Sequence, residues 1–159
     1  MKISRILKRL SFYGFKEAIK VMSYLDHRLY MKMYIPLLKK NGMTIIGTPR
    51  FIGAKVKFDD FDRITLNHRV VISEECYFLT HDYSITTALI AIDKEPKSDI
   101  ALVRDIVVGY NVFIGARTVV MPGTTIGNNV IIGTGAVVRG NIPDDSIVIG
   151  NPGVIIRNI

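Results

Sequence analysis

The sequence predicts a mainly β fold: a solenoid of short parallel strands behind an α-helical head. Two observations carry this. From Ile46 an apolar residue recurs every six positions in two phased blocks, while before that apolar residues recur every three or four. A fixed period repeated that often marks a repeat architecture. Steps of three and four mark one face of a helix. At 159 residues the chain is long enough for one domain with a core.

The head comes first, over about residues 1–40. Apolar residues at Ile3, Ile6, Leu7, Leu10, Phe15, Ala18, Ile19, Met22, Leu25 and Leu29 form one helical stripe. Lys2, Arg5, Lys8, Arg9, Lys16 and Lys20 fall largely off it. Gly14 is expected to break or kink the helix and Pro36 to end its regular part. Residues 1–42 hold ten Lys/Arg against two Asp/Glu, and residues 43–159 hold eleven against twelve. The net charge of +7 therefore belongs to the head, which argues against a nucleic-acid-binding body. A basic, aromatic, amphipathic helix lies on an anionic membrane surface or packs on its own body or a sister subunit. The N-terminus lacks the apolar block of a secretory signal, and no apolar run approaches the ~18–20 residues of a membrane span. The single cysteine, Cys76, suits a reducing, cytoplasmic compartment.

The hexads follow. In IGTPRF IGAKVK FDDFDR ITLNHR VVISEE CYFLTH the leading residue falls at 46, 52, 58, 64, 70 and 76. In VGYNVF IGARTV VMPGTT IGNNVI IGTGAV VRGNIP it falls at 108, 114, 120, 126, 132 and 138. Each hexad supplies a short strand and a turn, its leading residue points inward, and three hexads close a triangular coil. Glycines at 47, 53, 109, 115, 127 and 133 are expected to serve the turn geometry. A small or β-branched residue often sits three positions beyond that second hexad place, at Val56, Val112, Thr118, Thr124, Val130 and Ala136. Cys76 takes an inward place, where it packs as a small apolar side chain. Positions 76 and 108 are 32 apart, so the blocks differ in phase and residues 82–105 read as an inserted loop with a polar middle, DKEPKSD. The plan is a basic helical segment over 1–42 and a coil domain over 43–159 carrying that loop.

Chemistry collects at the seam YFLTHDYS, residues 77–84. His81 stands where a rigid coil hands over to a long loop, and such loops commonly shape binding sites. From the residues alone it is a surface histidine at a loop base or a general base, since imidazole accepts a proton near neutral pH. Asp59, Asp60 and Asp62 stand one coil below, because the step from 60–63 to 78–81 is eighteen residues. They orient the imidazole, grip an acceptor, or form a solvated turn. Three histidines and one cysteine give no local zinc-site spacing, and no metal is expected.

The hexads and the C-terminal NIPDDSIVIGNPGVIIRNI resemble the hexapeptide-repeat acyltransferases, whose fold is a left-handed parallel β-helix. ITLNHRVVISEECYFLTHDYS and VVGYNVFIGARTVVMPGTTIGNNVIIGTGAVV are similar to the branch of sugar and antibiotic O-acetyltransferases, which includes maltose, galactoside and capsular-polysaccharide enzymes. The resemblance covers about residues 45–159. It implies acetyl-CoA as acyl donor, no metal, and a homotrimer with active sites between subunits. It also implies a carbohydrate hydroxyl as acceptor. With the basic head, that extends to a lipid-linked surface-polysaccharide unit at the inner face of a membrane. Serine or an antibiotic remains an alternative acceptor, and a non-catalytic scaffold would share the hexads. A γ-type carbonic anhydrase needs three histidines on neighbouring coils, and here His27 lies in the head.

Within that family a histidine ahead of an extruded loop is the general base, and His81 matches it. Asp60, Asp62, Asn67, Asp82 and Tyr83 are then candidate acceptor contacts. Phe113, Ala116, Thr134 and Gly135 match the coenzyme groove, with the Ala116 amide as oxyanion donor. Arg139 and Arg157 are the candidate cations for the coenzyme phosphates. The chain departs from the family where VRGNIP places Arg139 one position before the usual lysine and where Val154 replaces a common cation. Arg117 is a further candidate cation.

Overall fold

Two helices precede the coils in the computed structural model, which describes residues 2–158, with side-chain surroundings from Ser11 onward. The side chains of Ile3, Ile6, Leu7 and Leu10, and of Lys2, Arg5, Lys8 and Arg9, lie outside the described residues. Helix α1 spans Lys2–Leu25 and runs straight through Gly14, so no break falls there. A glycine in a helix costs about 1 kcal/mol relative to alanine, and burial of Phe12 and Ile19 against the coils outweighs it. The break comes at Asp26, whose carboxylate accepts hydrogen bonds from Arg28 N at 2.8 Å and Leu29 N at 3.1 Å. That cap starts α2, His27–Lys40, and Pro36 sits inside it instead of ending it. The hydrogen bond that proline forgoes is offset by burial of Tyr30, Met31, Tyr34 and Leu38. The predicted single stripe is thereby split. Phe12 and Ile19 face the coils, whereas Phe15 and Leu25 point outward, 63% and 72% exposed.

The coils are built from strands of two to four residues. The first coil is β1 (Thr44–Ile45), β2 (Phe51–Ile52) and β3 (Lys57–Phe58), followed by a 3-10 turn at Phe61–Arg63. The second is β4 (Ile64–Leu66), β5 (Val71–Ile72) and β6 (Tyr77–Phe78). An excursion then contains β7 (His81–Asp82), α3 (Ser84–Ile90) and β8 (Leu102–Val103), with β7 and β8 antiparallel. The third coil is β9 (Ile106–Val108), β10 (Phe113–Ile114) and β11 (Val119–Val120), and the fourth is β12 (Thr125–Ile126), β13 (Ile131–Ile132) and β14 (Val137–Val138). A last partial coil holds β15 (Asn141–Ile142) and β16 (Ser146–Ile149), on which β17 (Val154–Asn158) folds back antiparallel.

Equivalent strands stack in parallel on three faces: β1-β4-β9-β12-β15 on face I, β2-β5-β10-β13-β16 on face II, and β3-β6-β11-β14 on face III. The result is a parallel β-helix. Its interior is a set of buried columns, such as Ile52, Ile72, Ile114, Ile132 and Val148 on face II and Phe58, Phe78, Val120 and Val138 on face III. Val56, Cys76, Thr118 and Ala136 fill the corner between faces II and III. Cys76 is therefore a buried corner residue, its Sγ 3.1 Å from the Gly115 carbonyl oxygen.

The expected phase needs correction in the first block. Ile46 is 55% exposed, and Ile45 takes the inward place. Val70 and Cys76 fill corners, while Leu66, Ile72 and Phe78 take the inward strand places that stack on Val108, Ile114 and Val120. The first two coils pair Lys57 with Tyr77, a step of 20, where later coils pair Phe113 with Ile131, a step of 18. The 3-10 turn at Phe61–Arg63 holds the surplus. The excursion shows in the register too: Leu66 pairs with Val108, 42 positions on, against 18 between Val108 and Ile126, so 24 residues are extra. Gly47, φ 75°, serves a turn as expected, but the other hexad glycines act differently. A Cβ at Gly115 would lie 2.5 Å from Thr134 N, so glycine permits coil stacking. The left-handed backbone at that corner falls instead on Arg117, φ 61°.

Candidate active site

The edge between faces III and I carries His81. The turn after β3 presents Asp59 and Asp60, and the turn after β6 presents Thr80 and His81 one coil above, so register alone stacks the carboxylates beside the imidazole. Thr80 is fully buried and held twice: its Oγ1 donates to Asp60 Oδ2 at 2.7 Å and its N–H to Asp59 Oδ2 at 3.3 Å. His81 Nδ1 lies 3.4 Å from Asp60 Oδ2 and 3.6 Å from Asp59 Oδ2. A carboxylate facing Nδ1 favours the tautomer with its proton there, leaving Nε2 as the acceptor. The side chain is 37% exposed. Tyr83 meets the imidazole edge to face at 5.6 Å between ring centres.

Other predicted residues of this edge have structural partners. Asp82 accepts from Ser84 N at 2.8 Å, and that bond, with the charge of Arg139, holds its carboxyl below the usual range. Asp62 lies against Gly42 at the foot of α2 and makes no hydrogen bond to His81 among the described residues. Asn67 is on a different edge, between faces I and II, where its amide donates to the Val108 carbonyl at 2.9 Å. His68 accepts from Thr48 N at 3.1 Å, and His27 contacts the Ser23 carbonyl at 3.1 Å.

The candidate groove residues lie on the edge between faces II and III. Ala116 and Thr134 occupy equivalent places on successive coils, and Gly135 N donates to the Ala116 carbonyl at 2.8 Å. Phe113 projects from face II, 44% exposed, and Arg157 of β17 pairs with Ile147 of β16. Arg117 is bound to Glu75 at 2.8 Å, which holds the Glu75 carboxyl low. Arg139 sits on the His81 edge, near enough for its charge to act on Asp82. Within one chain, then, His81 and Ala116 flank face III from opposite sides, separated by a strand and its flanks, about 20 Å of extended chain. One chain alone does not bring them together.

The corner at Ala116 has a donor to offer. Among the described residues its N–H makes no hydrogen bond, although those of Gly115 and Arg117 do. Two coils below, the equivalent Ala54 N–H and its neighbour Lys55 N–H hold the Glu74 carboxylate at 3.1 and 2.8 Å. The coil corner is thus a geometry that binds oxygen anions.

Sequence reasoning missed the roof over His81. Helix α1 crosses face III and leaves a cavity of about 310 Å³, lined by Phe12, Tyr13, Lys16, Lys57, Tyr77 and His81 among others. Lys16 is fixed there by a 2.8 Å bond to the Val56 carbonyl, and burial lowers its ammonium pKa. The stripe on α1 was the one signal, and it did not say which face it covers.

Residues 105–140 match the family model described as bacterial transferase hexapeptide (six repeats). A relative named for O-acetyl transfer in lipopolysaccharide biosynthesis, WbbJ of Escherichia coli K12, is 44% identical over 52 residues, 33% of this chain and 26% of its own length. CapG of Staphylococcus aureus is 32% identical over 141 residues, 80% of this chain and 78% of its own. The chain spans 26%, 30% and 54% of the length of three of the curated relatives it matches. Among solved structures, the hexapeptide-repeat acetyltransferase VCA0836 of Vibrio cholerae, complexed with acetyl coenzyme A, superposes with a TM-score of 0.61 at 20% identity, covering 93% of this chain and 87% of that one. The hexad coils, the matched repeat segment and a relative aligned over most of both chains agree, and the chain belongs to the bacterial hexapeptide-repeat transferase family.

Proposed function

We propose that the protein is an acetyl-CoA-dependent O-acetyltransferase acting on a carbohydrate hydroxyl, within surface-polysaccharide synthesis. The observation that carries this reading is the stacked Asp59–Asp60–His81 group opening on a cavity that an acceptor can enter. His81 Nε2 takes the acceptor hydroxyl proton as the oxygen attacks the thioester carbonyl. The Ala116 N–H holds the oxyanion, the C–S bond breaks, and the departing thiolate takes the proton from the imidazolium. The products are the O-acetyl ester and free coenzyme A. Asp60 and Asp59 act through His81, fixing its ring and facing its positive charge in the transition state.

His81 and Ala116 stand on opposite edges of one chain, so the reading requires a neighbouring copy, in a homotrimer, to supply the groove for each His81. Phe113, Thr134 and Gly135 of that neighbour line the pantetheine path, with Arg157 toward the phosphates. The position of Arg139 on the His81 edge favours a role there over a phosphate contact within its own groove. The carbohydrate acceptor is supported by the names of WbbJ and of the polysialic-acid-specific acetyltransferase NeuO among the fold neighbours. The aromatic rings of Phe12, Tyr13 and Tyr77 give a sugar face something to pack on. An acceptor screen that follows thiol release from acetyl-CoA tests the reading. His81→Ala should lower turnover at least ~10²-fold with folding and coenzyme binding kept, and near-normal turnover in that variant would sink the assignment.

A further inference from the structure

A second depression lies on the other side of the head, between α2 and face II. It is a groove of about 1130 Å³, far larger than the cavity at His81. Its walls are cationic on both sides: Arg28, Lys32 and Lys39 from α2, Arg50 and Arg69 from the first two coils. None of the five forms an ion pair among the described residues. The one carboxylate in the lining, Glu74, is spent on the Ala54 and Lys55 N–H groups. Met31, Ile35 and Phe51 give the groove an apolar floor.

The lip of the groove continues into an apolar surface. Leu29 and Met33, 44% and 43% exposed, neighbour Lys32 and Pro36 respectively at a helical spacing of three. On α1, Leu25 and Val21, four positions apart, also face outward at 72% and 56% exposed, as does Phe15 at 63%. Cations beside outward-facing aliphatic and aromatic side chains are the pattern of a helix lying in a lipid interface. No helix among the described residues is long and apolar enough to cross a membrane.

We propose that this groove binds the head-group phosphate of an anionic membrane lipid, with the outer faces of α1 and α2 seated in the interface. The two cationic walls clamp the phosphate, and the apolar floor receives the start of the lipid tail. This site is separate from the His81 edge and stands or falls independently of acyl transfer. It differs from simple adsorption of a basic helix because the coil wall, through Arg50 and Arg69, must take part.

The test is co-sedimentation of the full chain with vesicles of phosphatidylglycerol and phosphatidylcholine, against phosphatidylcholine alone. Partition should need the anionic lipid and fall about 30-fold in Arg28→Gln/Lys32→Gln, at about fivefold per cation near a charged surface. Arg50→Gln/Arg69→Gln should fall comparably. Lys94→Gln/Lys97→Gln, the same charge change on the excursion, should leave partition unaltered. Equal losses in all three variants would reduce the effect to net charge and overturn the site. Loss confined to the α2 pair would mean helix adsorption without the groove, and also overturns it. Inorganic phosphate at millimolar concentration should not displace the protein from vesicles; displacement would point to a soluble phosphate ligand instead. Loss of self-association in the Arg50/Arg69 variant, with partition unchanged, would assign the groove to a second copy of the chain and refute the lipid site.

Discussion

Asp60→Asn is the most informative single change at the His81 edge. Asparagine keeps the shape of aspartate, and its carbonyl oxygen still accepts from the Thr80 hydroxyl, now 2.7 Å from Asp60 Oδ2, so the turn should hold. What disappears is a negative charge 3.4 Å from His81 Nδ1. Two unit charges at 4 Å attract by about 1 kcal/mol in water and about 4 kcal/mol at an effective dielectric constant of 20. With side chains 37% and 33% exposed, this pair lies between those limits. About 2 kcal/mol is then lost in a transition state where the imidazole becomes positive, or roughly 30-fold in kcat. The assay is steady-state thiol release with saturating acceptor, with coenzyme affinity measured separately by calorimetry. Because Asp60 acts through His81, the loss belongs in kcat, with acceptor KM and coenzyme affinity held. A kcat within about twofold of wild type, or a loss confined to KM, would refute the positioning role.

Three further outcomes follow from packing. Gly115→Ala places a Cβ 2.5 Å from Thr134 N on the next coil, and backbone there has little room to yield. Denaturant unfolding should show a loss of about 1–3 kcal/mol, whereas Gly14→Ala, with nothing within 4 Å, should stabilise by up to about 1 kcal/mol. Tyr34 is fully buried with its hydroxyl unpaired among the described residues, and burial pushes that phenol well above its ordinary range. Tyr34→Phe should raise the unfolding free energy by about 1 kcal/mol, and a clear destabilisation would reveal a partner for the hydroxyl. Burial likewise pushes the Cys76 thiol up. Alkylation of the native protein at pH 8 should be at least ~10²-fold slower than in denaturant, and fast native labelling would place Cys76 outside the core.

Much of this was legible in the sequence because a coil interior repeats its demands. Every sixth residue must be apolar, and the small corner residues Val56, Thr118 and Ala136 fall where the hexads put them. The two-residue slip was not legible. Ile64, Val70 and Cys76 are all buried, so an apolar count runs through the 3-10 turn without a break while the strand positions move to Leu66, Ile72 and Phe78. Gly14 and Pro36 misled for a related reason. Local propensity is weaker than the burial of Phe12, Ile19, Tyr34 and Leu38 against the coils. One coil's spacing put an acidic turn beneath His81, but a step of eighteen sets Asp62 and Arg63 under Thr80 and His81, and the observed step of 20 brings Asp59 and Asp60 there instead. The roof formed by Phe12 and Tyr13 depends on contacts with Tyr77 and His81 more than sixty positions away, and no periodicity encodes them. Hexad counting does place positions 81 and 116 at different corners, a consequence that motif resemblance alone conceals.

That separation makes the shared site the point to test. His81→Ala and Thr134→Trp, the second a bulky block at an exposed groove position, should each abolish turnover as pure proteins. Unfolding and refolding the two together should restore about a quarter of wild-type activity, since one subunit boundary in four joins an intact His81 to an intact groove. No recovery from mixed assemblies that form normally would contradict a site built between two copies of the chain.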